Sequence, residues 1–162
     1  MLVHSQAVRA ELVNEVQNMT DGQLNQKPSQ DVWSPAQILQ HLYLMERVII
    51  GGIKQVLMSG EKREATEKPL ELVIDRSLKV PAPENLKPGD GPFQKETLLS
   101  KLEESRRELI NFAETAPEHM LNEQAMKHPH LGDLSLKQWV EFIGYHEKRH
   151  LLQITEVKSA TY

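Results

Sequence analysis

Apolar residues recur at three- and four-residue steps in four stretches of the chain, the period of a helix that buries one face. The first stretch, from about residue 4 to 18, places Val8, Leu12, Val16 and Met19 on one side and Glu11, Asn14 and Gln17 elsewhere, and Asp21 with Gly22 ends it. The second begins at Ser34, with Pro35 in the first helical position and Gln37 completing a capping box, while Trp33 and Ile38 form a flanking hydrophobic staple. Its stripe of Ile38, Leu42, Met45, Ile49 and Ile53 predicts a helix to about residue 58, where Ser59 and Gly60 stop it. The third follows Gly91 and Pro92, carries Leu98, Leu99, Leu102, Leu109, Phe112 and Ala113 at helical spacing, and is closed by Pro117. The fourth repeats the start of the second: Ser135 caps, Gln138 takes the third position, Leu134 and Trp139 make the staple, and the pattern runs to about residue 157. No segment alternates in the manner of a strand, so sheet content near zero is expected. Met45, Met58 and the aromatic residues at helical spacing are assigned to the core.

The stretch between the second and third helices contains Pro69, Pro81, Pro83, Pro88 and Pro92, which forbid a long helix and leave an unusually long connection. In a four-helix bundle one such crossing lets two successive helices run parallel. The expected fold is therefore all-α, a single domain over 1–162 in which four helices run up, down, down and up around one core.

Charge narrows the range of partners. With 19 Lys+Arg against 23 Asp+Glu, a net charge of −4 and no basic run, the chain lacks the electrostatic footprint of a nucleic-acid binder. It contains no cysteine, so neither a disulfide framework nor a protein thiolate is available. The start lacks a basic, apolar secretory signal and no 18-residue apolar run occurs, so a soluble cytoplasmic protein without membrane attachment is expected.

The candidate chemistry lies in three histidines. His146 and His150 are four residues apart, which puts both rings on one helix face, and they share the stripe of Leu136, Trp139, Val140, Ile143, Glu147 and Ile154. His41 belongs to the inward stripe of the second helix. It lies about 10 Å below the start of its helix, while His150 lies about 22 Å below the start of the fourth and about 10 Å from its end, so the levels match when these helices are antiparallel. Each ring could be a hydrogen-bonded interior residue. Three neutral imidazoles converging at one depth instead compose a divalent-metal site that keeps positions open for chemistry. Glu147 and Glu46 are candidates for a base or for an acceptor of a histidine N–H, though ordinary helix carboxylates fit the same positions. His128 and His130, just before the fourth helix, and Arg106, on the edge of the third stripe, are candidate pocket residues, the arginine for an anionic group. His4 and His119 are expected to be solvated.

In combination, TrpSerProAlaGlnIleLeuGlnHisLeu at 33–42, HisProHisLeuGlyAspLeuSerLeuLysGlnTrp at 128–139 and HisGluLysArgHisLeuLeuGlnIle at 146–154 resemble the DinB-like, YfiT-like family of metal-dependent enzymes. The resemblance spans nearly the whole chain and implies the same up-down-down-up bundle, frequent homodimers, and His41, His146 and His150 as metal ligands; imidazole suits zinc, nickel, iron and copper alike, with zinc the first choice here and nickel the second. It also implies a small-molecule substrate. Thiol-dependent relatives, bacillithiol S-transferases and more distantly mycothiol-dependent maleylpyruvate isomerase, suggest a low-molecular-weight thiol as co-substrate. A metal-dependent hydrolase or lyase using a coordinated water, and a noncatalytic small-ligand or stress-response bundle, are the alternatives.

Overall fold

The computed structural model describes residues 1–161. Four long helices, α1 (Val3–Val16), α3 (Pro35–Ser59), α4 (Lys95–Thr115) and α6 (Leu136–Thr161), are accompanied by two short ones, α2 (Asp21–Asn25) and α5 (Glu118–Glu123). Short 3-10 turns at Leu70–Ile74 and Glu84–Leu86 punctuate the long connection. Strands β1 (Ala125–His128) and β2 (Gly132–Ser135) form an antiparallel hairpin before α6.

Packing partners fix the directions. The C-terminal residues of α1, Leu12 and Val16, share a core with Ala36 and Ile38 at the start of α3, so those helices are antiparallel. Leu98 and Leu102 of α4 join that same cluster, whereas Leu109 and Phe112 pack with Ile49 and Ile53, which makes α3 and α4 parallel. Leu136 and Val140 meet the far end of α3, and Ile154 and Val157 meet its start, so α6 runs against α3 and alongside α1. Ion pairs Lys148–Glu11 and Lys158–Glu15 repeat the α1–α6 alignment on the surface. The order is up, down, down, up. Gly144 allows α1 to approach α6 closely: a Cβ there would lie 3.0 Å from the Ser5 backbone.

The capping box at α3 forms as its sequence predicts, Ser34 Oγ accepting from the Gln37 N–H and Gln37 Oε1 from the Ser34 N–H. At α6 only half of it forms. The Gln138 N–H donates to Ser135 Oγ, but the Gln138 side chain turns to both backbone groups of Lys68 and anchors the long connection. Two further expectations are corrected. The hairpin replaces an all-helical approach to α6; its four-residue strands are too short to show alternation, and it is held by pairing of Ala125 with Ser135 through His128 with Gly132 and by Trp139 Nε1–H donating to the Met126 carbonyl. Met58 is exposed, because it falls on the outward face of α3 with Gly51, Lys54 and Gln55, which are exposed too. No helix among the described residues is long and apolar enough to cross a membrane.

Candidate metal centre

His41 from α3 and His146 and His150 from α6 are all buried, and one ring nitrogen from each lies within 4.8 Å of the other two. The antiparallel alignment of α3 and α6 produces this meeting, with the His41 ring centroid 4.7 Å from that of His150 and 5.2 Å from that of His146. The Nε2 atoms of His146 and His150 are 3.2 Å apart. Two nitrogens on one tetrahedral zinc ion, each at about 2.0–2.1 Å, would be about 3.3 Å apart, so the pair stands at coordination spacing.

Hydrogen bonds set the tautomers of two rings. His41 Nδ1 is 2.7 Å from the Leu86 carbonyl oxygen, and His150 Nδ1 is 2.7 Å from Gln153 Oε1. Both partners only accept, so both Nδ1 atoms carry the proton and both Nε2 atoms present a lone pair. His146 has its hydrogen-bond contact through Nε2, and its ring stacks against Phe142 at 5.6 Å. Burial, followed by the neighbouring histidines, holds His146 well below the usual imidazole range. Burial lowers His150 to about 3, and burial also lowers His41 against the opposing bond to Leu86. The rings are therefore neutral at pH 7, the form in which imidazole binds a cation.

The long connection roofs this end of the bundle. Arg149, between the two α6 histidines, donates to the Val73 carbonyl at 3.1 Å and to the carbonyls of Asp75 and Leu78, and Arg76 pairs with Glu156. Gln37 Nε2–H donates to the Gly89 carbonyl, and Leu86 meets His41. Both histidine-bearing helices thus hold the same segment.

The other candidate residues lie elsewhere. Arg106 does not face the histidines as an anion-binding group; it is buried in a four-residue ion network with Arg9, Glu46 and Glu147 that joins all four long helices. Each oxygen of Glu46 and Glu147 accepts a guanidinium N–H, and the remaining arginine donors reach the carbonyls of Leu102 and Ser5. This removes Glu46 and Glu147 as bases and as acceptors for a histidine N–H. His128 lies in the hairpin, its Nδ1 accepting the N–H groups of His130 and Leu131, and its ring meets Phe142, one ring away from His146. His130 is exposed and 6.1 Å from His128 between ring centroids. His4 and His119 are exposed, as expected.

Gln153, Arg149 and the Leu86 carbonyl had no assigned role in the sequence. Gln153 follows His150 by three residues, a spacing that faces the same side of a helix and was available as a signal. A backbone carbonyl contributed by the connection leaves no such trace.

A mostly helical bundle of this order, with three inward histidines, is a four-helix-bundle protein with a candidate metal site. The chain belongs to the DinB superfamily, whose model matches residues 5–154. It is 35% identical over 150 residues to the uncharacterized protein YuaE of Bacillus subtilis (strain 168), covering 93% of this chain and 92% of that one. Among solved structures it resembles TT2238, described as a four-helix bundle protein, with a TM-score of 0.66 and 18% identity over 96% of this chain and 95% of that one. It also resembles YfiT from Bacillus subtilis, described as a probable metal-dependent hydrolase with an unusual four-helix bundle topology. There the TM-score is 0.61 and the identity 20%, over 96% of this chain and 82% of that one.

Proposed function

We propose that this chain is a metal-dependent enzyme in which His41, His146 and His150 hold a divalent cation, zinc first and nickel second, and a low-molecular-weight thiol is transferred to a small electrophile. The observation that carries the metal is the convergence of three buried, neutral imidazoles, two with their tautomers fixed so that Nε2 faces the cluster. A divalent cation held there lowers the pKa of a coordinated thiol or water and so supplies a nucleophile at neutral pH. With no cysteine in the chain, the thiol comes from outside.

The choice of thiol over water rests on the carboxylates. The two buried glutamates, Glu46 and Glu147, are consumed by arginines, so neither is available to take a proton from a water. A thiol, with a free pKa of about 8.5 against 15.7 for water, needs far less assistance to ionise. The second reading, hydrolysis by a coordinated water, is favoured by the description of YfiT. A homodimer of such subunits also fits the family resemblance.

The test is elemental analysis of untagged protein, followed by assay of the metal-loaded form with bacillithiol, glutathione or cysteine and a chromogenic electrophile. Metal-dependent acceleration of conjugation is expected. Failure with every thiol, together with metal-dependent ester or amide hydrolysis, would replace transfer by the second reading, and protein that takes up neither zinc nor nickel would remove both.

A further inference from the structure

Among the described residues, no carboxylate is bonded to a histidine of the cluster. The two outer acceptors, the Leu86 carbonyl and the Gln153 amide, are neutral, whereas histidine ligands in metal sites commonly donate to a carboxylate. The two nearest buried carboxylates, Glu46 and Glu147, are each held by both Arg9 and Arg106. Arg76, itself paired with Glu156, and Arg149, whose donors go to backbone carbonyls, also stand close enough to His150 to disfavour a positive charge there. Three neutral ligands, two of them with neutral outer partners, leave the cation its whole charge of two.

We infer that Gln153 is a positioning residue that holds His150 through a neutral acceptor and thereby reserves the open coordination place for an anionic donor such as a thiolate. This rests on the metal reading above and adds the charge class of the ligand. The amide fixes the ring with Nε2 turned inward, as a carboxylate would, but adds no charge that an incoming anion must overcome. Gln153 is only half-buried near the end of α6, so its substitution leaves the core intact.

The test uses whole protein loaded with cobalt(II), with azide as the anionic probe. Wild-type protein is expected to bind cobalt and to change its visible spectrum on adding azide. Gln153→Ala should weaken cobalt binding about tenfold to a hundredfold, the usual effect of losing an outer partner. Gln153→Glu should hold cobalt at least as tightly as wild type yet bind azide about tenfold more weakly, since the added charge opposes the probe. A second readout follows the His150 ring proton: in the paramagnetic protein its shifted N–H resonance should exchange slowly in wild type and Gln153→Glu, and rapidly in Gln153→Ala. Opposite movements of metal and azide affinity in Gln153→Glu are not produced by a general loosening of the helix. Unchanged cobalt affinity in Gln153→Ala, or unchanged azide affinity in Gln153→Glu, overturns the inference while leaving the metal site standing. Wild-type protein that binds no cobalt, zinc or nickel overturns both.

Discussion

Two polar clusters lie in the same bundle core and are built on opposite rules. In the Arg9–Glu46–Arg106–Glu147 network the charges cancel, every carboxylate oxygen is occupied, and nothing further is required to complete it. In the histidine cluster there is no charge, and outside partners turn His41 and His150 so that their lone pairs face inward. Among the described residues, the inward nitrogens of His146 and His150 have only each other as partners, 3.2 Å apart, and neutral nitrogens aimed at one point suit a cation that the network has no place for. Burial of polar groups alone therefore does not mark a functional site; the direction of the capacity left over does.

Breaking one member of each cluster separates the two rules. Glu147→Ala leaves Arg9 and Arg106 facing each other with only Glu46 between them, and it should destabilise the fold by about 3–5 kcal/mol in urea titration, with or without metal. His150→Ala should instead leave the metal-free protein nearly as stable while metal affinity, measured by chelator competition, falls several hundredfold, on the order of 3–4 kcal/mol. Similar losses of stability in the two variants would erase the distinction.

A smaller effect is expected at the roof. Arg149→Ala removes the donor for three carbonyls of the long connection, so stability should fall by about 2 kcal/mol and limited proteolysis should speed up within residues 70–89. Cleavage elsewhere at an unchanged rate would show that the effect is local.

The smallest effect concerns pH. Burial lowers His150 to about 3 in the folded chain, against an ordinary imidazole value of 6.5. Between those values the unfolded chain binds a proton that the folded chain refuses, so the metal-free protein loses stability as pH falls below about 6.5 and regains it as pH rises. At pH 5.5 the loss from this one ring is about 1 kcal/mol, and His146, also lowered by burial, adds to it in the same direction. Melting temperatures at pH 7.5 and 5.5 should show a clear drop in wild type and a smaller one in His150→Gln. An equal drop in both would place the titration elsewhere.

The frame and the histidine cluster were legible because each follows from a local rule. Ser34, Pro35 and Gln37 announce the start of α3, the four-residue step of His146 and His150 sets their common face, and depth below the helix starts requires α3 and α6 to be antiparallel. The rest depends on relations across the chain. Arg9, Glu46, Arg106 and Glu147 lie 37 to 138 residues apart in the contacts they make, and each alone reads as an ordinary helix charge. Thr20 and Gln23 repeat the capping logic of α3 to open α2, where Asp21 and Gly22 signal only a stop. The hairpin is missed because four residues are too few for a period to emerge.

Because α3 and α4 point the same way, the chain must travel back along the outside of the bundle between them. The return distance is about 37 Å, which roughly eleven extended residues would span, yet the segment from Gly60 to Gln94 is about three times that long. The surplus lies over the histidines as a canopy. It is tied down at a few points, by Gln138 to Lys68, by Arg149 to Val73 and by the Leu86 carbonyl to His41, so the stretches between those ties can change length without moving the rods beneath or the hold on His41.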